Sequence, residues 1–489
     1  MKITRQSPVR RSLRPSNLPY LSGAWTPVAD EVDAEDLEVV SGAIPQDLDG
    51  TYFRNAQNQL HEPAGRFHPF DGDGMIHAIT FRDGKARYRN RWVRTQGFNE
   101  EQVAGRSLFG GLMEPPGLAQ RRTRCVYPGL KDASSTDVVV HAGKVLSTYY
   151  QCGEAYRLDP DTLETLGIDA WTPLDGVSAH PKVDEHTGEL LFFNYSLRAP
   201  YMHYGVVDKT NHLVHYIPVE LPGPRLPHDM TFTQNYAIMA DLPVFWDPEL
   251  LKKDVYAVRF FKKQNTRFAI VPRRGSPDQI KWFEAAPTYV LHWLNAYEDG
   301  DEIVLDGYFQ SNPTPRPLPD VPPEHGHMMA FLDLHSLEAR LHRWRFNMKT
   351  GETKEQRIAE DIAEFGMINQ RYAGRPYRYA YSALGKKGMF LFTGLVKHDV
   401  QTGQSWQIDL PADEYGSESP FAPRVGAKDE DDGYLVTYTI NEATSRSECL
   451  VVDAKTMTEV CRVALPHKLC SGTHSCWASR EFIEKGVVA

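Results

Sequence analysis

The sequence predicts an all-β repeat fold, with a β-propeller the leading candidate, on three observations. Short runs of β-branched and aromatic residues recur along the whole chain, one kind of turn separates many of them, and helical patterns are few. Representative runs are Thr51-Tyr-Phe-Arg-Asn55, Val138-Val-Val140, Leu190-Leu-Phe-Phe193, Tyr236-Ala-Ile-Met239, Ile303-Val-Leu305 and Tyr434-Leu-Val-Thr-Tyr-Thr-Ile440. The recurring turn reads Asp159-Pro-Asp-Thr162, Asp184-Glu-His-Thr-Gly188, Asn347-Met-Lys-Thr-Gly351, Asp399-Val-Gln-Thr-Gly403 and Asp453-Ala-Lys-Thr456. Asp or Asn opens such a turn by bonding its own following backbone, and Gly supplies a left-handed closing residue.

Short helices are expected over Arg357 to Phe365, Pro248 to Phe261 and Glu101 to Leu108. Residues 95–135, rich in Gly, Pro and Arg, and the proline-studded residues 310–328 read as insertions, the second in extended polyproline conformation. The start of the chain carries Lys2, Arg5, Arg10, Arg11 and Arg14 with no acid before Asp30. It lacks the apolar stretch of a signal peptide, so residues 1–20 are expected to be a flexible basic arm. Residues 21–480 read as a single propeller domain, and 481–489 as a short tail.

With 54 basic against 64 acidic residues the net charge is −10, which argues against nucleic acid as a partner. A hydrophobic fraction of 41% excludes an intrinsically disordered chain. Six cysteines in 489 residues, with no CxxC among them, make no disulfide scaffold and point to a cytoplasmic protein. No apolar run reaches the ~20 residues that span a bilayer. Oligomeric state is not written in the composition.

Four of the 18 histidines stand out. His180 ends Val177-Ser-Ala-His180, and His228 lies in Leu226-Pro-His-Asp-Met230. His292 sits in the apolar stretch Tyr289-Val-Leu-His-Trp-Leu-Asn-Ala-Tyr-Glu298, where an unpaired polar ring would be costly. His474 lies in Ser471-Gly-Thr-His-Ser-Cys-Trp477. Steps of 48, 64 and 182 residues are too long for a local metal knuckle but suit a propeller, whose blades bring distant strands to one axis. Imidazole ligands suit Zn, Cu, Fe and Ni alike. Cys470 and Cys476 beside His474 lack a fourth nearby zinc ligand, and Asp71-Gly-Asp-Gly74 has Met75 where a calcium ligand would be needed, so it reads as a turn.

At these histidines the chain resembles the carotenoid cleavage oxygenase family, which includes bacterial lignostilbene and isoeugenol-type dioxygenases. The likeness runs from about residue 20 to 480 through Gly50-Thr-Tyr-Phe-Arg-Asn55, His68-Pro-Phe-Asp-Gly-Asp-Gly-Met75, Ala179-His180-Pro181, His228-Asp229, His292-Trp-Leu-Asn-Ala-Tyr-Glu298, Glu364-Phe365, Glu418-Ser-Pro-Phe-Ala-Pro-Arg424 and His474-Ser-Cys-Trp477. It implies a seven-bladed β-propeller with a loop-and-helix cap and Fe(II) held by His180, His228, His292 and His474. It also implies outer glutamates that orient the ligands, with Glu364 expected behind His292 and Glu418 behind His474. A third glutamate of the pattern is absent, and Gln151 stands in its place, expected behind His228.

The activity implied is oxidative cleavage of a C=C bond by O₂ into two carbonyl products. Fe(II) overcomes the spin barrier between triplet O₂ and a closed-shell alkene, which redox-inert zinc does not. Phe109, Tyr149, Tyr150, Phe245, Trp246 and Phe309 are candidate walls of an apolar substrate tunnel, with ordinary core packing the alternative for each. Two clues to the substrate conflict. Tyr149 and Tyr150 stand where the lignostilbene branch carries a phenol-binding lysine, whereas Ala104-Gly-Arg-Ser-Leu-Phe-Gly110 resembles that branch. The substrate is thus left as a carotenoid or apocarotenoid, a stilbene or a phenylpropene. Val255 to Phe261 with Lys252, Lys253, Lys262 and Lys263 could touch a membrane surface. Isomerase chemistry and a non-catalytic ligand-binding propeller are the alternatives.

Overall fold

Asp and Asn side chains fold back to set the hairpins. In the computed structural model, which describes residues 1–63, 65–114, 125–172 and 176–488, Asp159 Oδ1 accepts the N–H groups of Asp161 and Thr162 at 3.0 and 2.9 Å. Asp399 does the same for Gln401 and Thr402, Asp453 for Lys455 and Thr456, and Asn347 for Lys349 and Thr350. Gly351 and Gly403 close two of these turns with φ of 79° and 76°, a left-handed conformation that a Cβ would oppose.

Such hairpins build seven antiparallel sheets of four to six strands, the blades of a seven-bladed β-propeller, together with one two-stranded hairpin. The chain divides into two compact units, residues 1–179 with 408–489, and residues 180–407. In the first unit the C-terminal strand Ser475–Ser479 pairs with Gly50–Asn58, and the N-terminal strand Val39–Gly42 pairs with Thr458–Ala464. Both chain ends are therefore stitched by main-chain hydrogen bonds. The Gly50-to-Asn55 motif serves this closure. Arg54, wholly buried, donates to Ser417 Oγ and the Cys470 carbonyl at 3.0 and 2.7 Å and lies 5.1 Å from the Tyr438 ring centre.

The second unit contains four sheets and the hairpin of Val244–Trp246 with Val258–Phe260. The first three sheets open with Lys182–Asp184, Thr231–Phe232 and Trp293–Asp299, each at a sheet edge, and Ala363–Met367 opens the fourth. An aromatic cluster fills one of its cores. Phe268 lies 5.8 Å from Trp293, 5.7 Å from Trp344 and 4.9 Å from Phe346, centre to centre, with Ile238, Ile303 and Leu305 around them.

Several local expectations are corrected. Arg357 to Phe365 holds no helix: strand Thr353–Arg357 ends there and Ala363–Met367 begins, because cross-strand pairing outweighs helix propensity. Pro248 to Phe261 is helical only over Pro248–Leu251, capped by Asp247, before Val258–Phe260 turns to strand. The third helix covers Gln96–Ala104 rather than Glu101 to Leu108, fixed by the Thr95 cap and ended by Gly105 at φ 68°. Residues 310–328 end inside a helix over Pro323–Leu332, since proline is tolerated in a first turn. Part of the 95–135 insertion, residues 115–124, lies outside the described residues. The basic start is a strand where a flexible arm was expected. Lys2–Ser7 pairs with Glu31–Glu35, whose carboxylates offer the cations counter-charges, as in Arg5 with Glu31 at 3.9 Å. The last residues form a helix over Arg480–Lys485 capped by Ser479. No helix among the described residues is long and apolar enough to cross a membrane.

Truncating Phe268 to Ala leaves a cavity among rings that cannot collapse into it. The expected cost is about 3–5 kcal/mol, measured by urea unfolding.

Candidate metal centre

Each candidate ligand sits within three residues of the start of an edge strand. His180 precedes Lys182–Asp184, His228 precedes Thr231–Phe232, His292 precedes Trp293–Asp299, and His474 precedes Ser475–Ser479. A residue in this place is held by the sheet yet leaves its ring off the strand's alternating faces. His180 pays for it in backbone conformation, with φ at +65°, a left-handed geometry uncommon outside glycine.

In the second unit three of these rings converge. One nitrogen from each of His180, His228 and His292 lies within 4.8 Å of the others. The ring centres are 4.9, 5.0 and 5.2 Å apart. His180 Nε2 and His228 Nε2 are 3.3 Å apart. Two neutral lone pairs repel at that distance, so the pair is comfortable only with a shared proton or a cation beside it. His292 Nδ1 lies 2.6 Å from the buried Glu364 Oε2, which also accepts the Phe365 N–H at 2.7 Å. A proton held on Nδ1 by that carboxylate leaves the Nε2 lone pair for a metal. The three donors therefore fit a transition metal ion.

Asp229 organises the cluster, a role that the sequence reading missed. Its Oδ2 accepts the Trp293 N–H at 2.8 Å, and its Oδ1 accepts the Met230 N–H at 2.7 Å and Lys182 Nζ at 2.8 Å. Its carbonyl accepts Trp293 Nε1 at 3.2 Å. One buried carboxylate thus ties together the segments that carry His180, His228 and His292. Burial pushes this carboxyl up to about 6, against the opposing pull of Lys182 and the two N–H groups. The signal available in the sequence was an acid directly after a candidate ligand.

In the first unit, Glu418 does for His474 what Glu364 does for His292. Glu418 Oε1 lies 3.3 Å from His474 Nδ1, and Oε2 accepts the Ser475 N–H at 2.5 Å. Gln151 is buried, but its Oε1 accepts the Tyr127 N–H at 3.1 Å and its carbonyl that of Val126 at 3.0 Å. It pins the 126–127 backbone. Cys470 directs its thiol to the Trp25 and Gln57 carbonyls, as a buried structural cysteine does.

The tunnel candidates separate. Tyr149 is buried and meets half-buried Tyr150 edge-on at 5.0 Å. Phe109 and Tyr149 border one small cavity of about 30 Å³, but its other walls include Gln59, Asp71, Glu101 and Lys131, so it is polar. Lys131 Nζ is bonded there by Glu101 Oε2 at 2.6 Å and Asp73 Oδ2 at 2.8 Å. Phe245 is stacked on Phe261 at 4.3 Å under the Arg225 guanidinium, and Trp246 packs edge-on against Tyr256. Phe309 packs on His342 and Trp344 against the aromatic core. Phe245, Trp246 and Phe309 thus each have ring partners within the second unit.

Removing the Glu364 carboxylate should loosen the ring it holds. Glu364→Ala is expected to weaken metal affinity about 10–100-fold, with Glu364→Gln less affected because its amide oxygen still accepts, as read by metal titration. Asp229→Ala should cost about 1–3 kcal/mol of stability in urea unfolding, since it leaves the buried Trp293 N–H without its acceptor and the half-buried Lys182 without its counter-charge.

Residues 25–479 match the family model described as "Retinal pigment epithelial membrane protein". Carotenoid 9,10(9',10')-cleavage dioxygenase 1 of Phaseolus vulgaris is 33% identical, the alignment covering 96% of this chain and 91% of that one. Isoeugenol monooxygenase of Pseudomonas nitroreducens is 31% identical over 95% of this chain and 98% of its own length. The crystal structure of Pseudomonas brassicacearum lignostilbene dioxygenase superposes with a TM-score of 0.82 at 26% identity, covering 96% of this chain and all of that one. With its fold, its histidine cluster and near full-length matches of this kind, the chain belongs to the carotenoid cleavage oxygenase family.

Proposed function

We propose that this protein is a non-haem Fe(II) dioxygenase in which His180, His228, His292 and His474 hold one metal ion. The observation that carries the reading is the convergence of three neutral imidazoles with His292 anchored by Glu364. The same carboxylate-to-Nδ1 arrangement at His474 supports its place as the fourth ligand. Four imidazoles without a ligating carboxylate favour a divalent transition metal over Mg or Ca. Ferrous iron bound there would supply the redox chemistry that brings O₂ into reaction with an alkene. The protein's residues hold and orient: Glu364 and Glu418 keep the ring protons on Nδ1, and Asp229 fixes the backbone beneath two rings.

The reaction is cleavage of one C=C bond, with each oxygen atom of O₂ ending in one of two carbonyl products. No acid or base is required of the protein. The substrate class is an apolar alkene, either a carotenoid or apocarotenoid or an aryl-alkene of the stilbene or phenylpropene kind. Support comes from the named activities of the relatives, which span both kinds. Exposed Val255 and Val258 beside Lys252, Lys253, Lys262 and Lys263 support a peripheral contact with the membrane that stores such substrates. The absence of any disulfide among the six cysteines supports a cytoplasmic setting.

Mass spectrometry of products from Fe(II)-loaded protein under ¹⁸O₂, with apocarotenals, stilbenes and isoeugenol-like phenols, tests this reading. The expected outcome is a pair of labelled carbonyl fragments from one class, with His292→Ala losing both iron and products. Unlabelled rearranged product would instead establish isomerase chemistry. Equal iron in wild type and His292→Ala would refute the metal site.

A further inference from the structure

Outside the metal centre, the second unit holds a cavity of about 260 Å³ with an unusual lining, in which three cations meet two acids, Asp241 and Glu284. The cations are Arg225, Lys263 and Arg267. Each guanidinium is fixed twice. Arg225 Nε donates to Asp241 Oδ1 at 2.5 Å, and its guanidinium carbon lies 3.9 Å from the Phe245 ring centre. Arg267 Nε and Nη2 donate to Asp241 Oδ2 at 3.1 and 2.5 Å, and its guanidinium lies 4.6 Å from the Trp282 ring centre. Asp241 thereby has both oxygens engaged. Glu284 accepts from Asn265 Nδ2 at 2.8 Å.

The remaining donors are left over. Arg225 is only 8% exposed, and Nη1 goes to the Pro224 carbonyl at 3.1 Å. Among the described residues, no protein acceptor meets Arg225 Nη2, Arg267 Nη1 or Lys263 Nζ. A buried guanidinium held rigid with an unused N–H on a cavity wall is a preorganised anion receptor, because its desolvation and rotamer entropy are already met by the fold. Two planar forks and one exposed ammonium suit a tetrahedral oxyanion better than a flat carboxylate, which a single guanidinium would satisfy.

We propose that this cavity binds a phosphate group, with Arg225 and Arg267 as fixed donors and Lys263 as the closing cation. The proposal stands on this cavity alone and is independent of the metal centre. Lys263 and the next residues lead from the exposed hairpin strand Val258–Phe260 into the strand Thr266–Pro272, so the phosphate could be free or borne by a lipid headgroup.

Isothermal titration with inorganic phosphate at constant ionic strength tests the site. Wild type is expected to bind one phosphate saturably, and Lys263→Glu to weaken binding by about tenfold or more, as the loss of a charge-assisted contact implies. Lys209→Glu, the same charge change elsewhere, should leave it unchanged. Saturable binding that Lys263→Glu leaves intact, or no saturable binding at all, overturns the proposal. Iron content and melting temperature of each variant establish that the fold is retained. Sedimentation with phosphatidylcholine vesicles, with and without phosphatidic acid, assigns the source. Phosphatidic-acid-dependent binding lost in Lys263→Glu but not in Lys209→Glu identifies a headgroup. Phosphate binding without vesicle binding identifies a free phosphate compound.

Discussion

The Asp229 carboxylate is the contact on which the rest of the metal centre depends. A wholly buried carboxylate is stable only where donors surround it, and Asp229 finds them on three segments at once: Lys182, Met230 and Trp293. Those segments begin three different sheets. Because each sheet is itself fixed by a full ladder of main-chain bonds, a shift of one ligand strand would break an Asp229 bond as well as its own ladder. The ring positions follow from backbone held in two directions. Trp293 extends the constraint outward, since the residue next to His292 also fills the aromatic core with Phe268 and Trp344.

The electrostatics of the site are divided between near and far partners. Imidazole nitrogens carry no negative charge of their own, and the carboxylates stand one hydrogen bond further out, Glu364 behind His292 and Glu418 behind His474. Each of these carboxylates also takes a backbone N–H of the strand it supports, Phe365 for Glu364 and Ser475 for Glu418. The second bond keeps the carboxylate oriented even when its ring moves. Gln151 gives its side-chain oxygen to the Tyr127 N–H and holds the 126–127 backbone.

Much of this was legible because the chemistry is local. Histidines in apolar surroundings are costly unless they have a purpose, and His292 within Tyr289-Val-Leu-His-Trp-Leu announced itself on those grounds. The Asp-x-x-Thr-Gly turns were legible because one side chain bonds its own backbone two and three residues on. What escaped was set by partners far along the chain. Asp229 looks like any acid until Trp293, 64 residues later, is placed against it. The stretch Arg357 to Phe365 has the residues of a helix but belongs to two strands, because Ala363 and Glu364 pair with Leu384 and Ala383. The basic start of the chain read as an arm because the acids that pair with it lie near residue 31. Residue type alone did not say which rings Phe309 and Phe245 pack against, because His342, Trp344 and Phe261 lie elsewhere along the chain.

Among the non-glycine residues with left-handed backbone, His180 and Phe365 fall in the histidine cluster and Cys152 beside a buried amide, while others sit in turns. His180, Cys152 and Phe365 all have left-handed φ, at 65°, 59° and 56°, although none is glycine. His180 is a ligand candidate, Phe365 follows the buried Glu364, and Cys152 follows the buried Gln151. Such conformations cost about 1–3 kcal/mol each and persist only where the surroundings over-determine them. Here the surroundings are available, since Phe365 gives its N–H to the very carboxylate that precedes it and packs its ring 4.8 Å from His292. A glycine at His180 or Phe365 would relieve the strain but surrender what the side chain does: an imidazole of the cluster at His180, a ring against His292 at Phe365. The hydrogen-bonded sheets supply the stability that lets a few residues be held in geometries chosen for the site and not for the backbone.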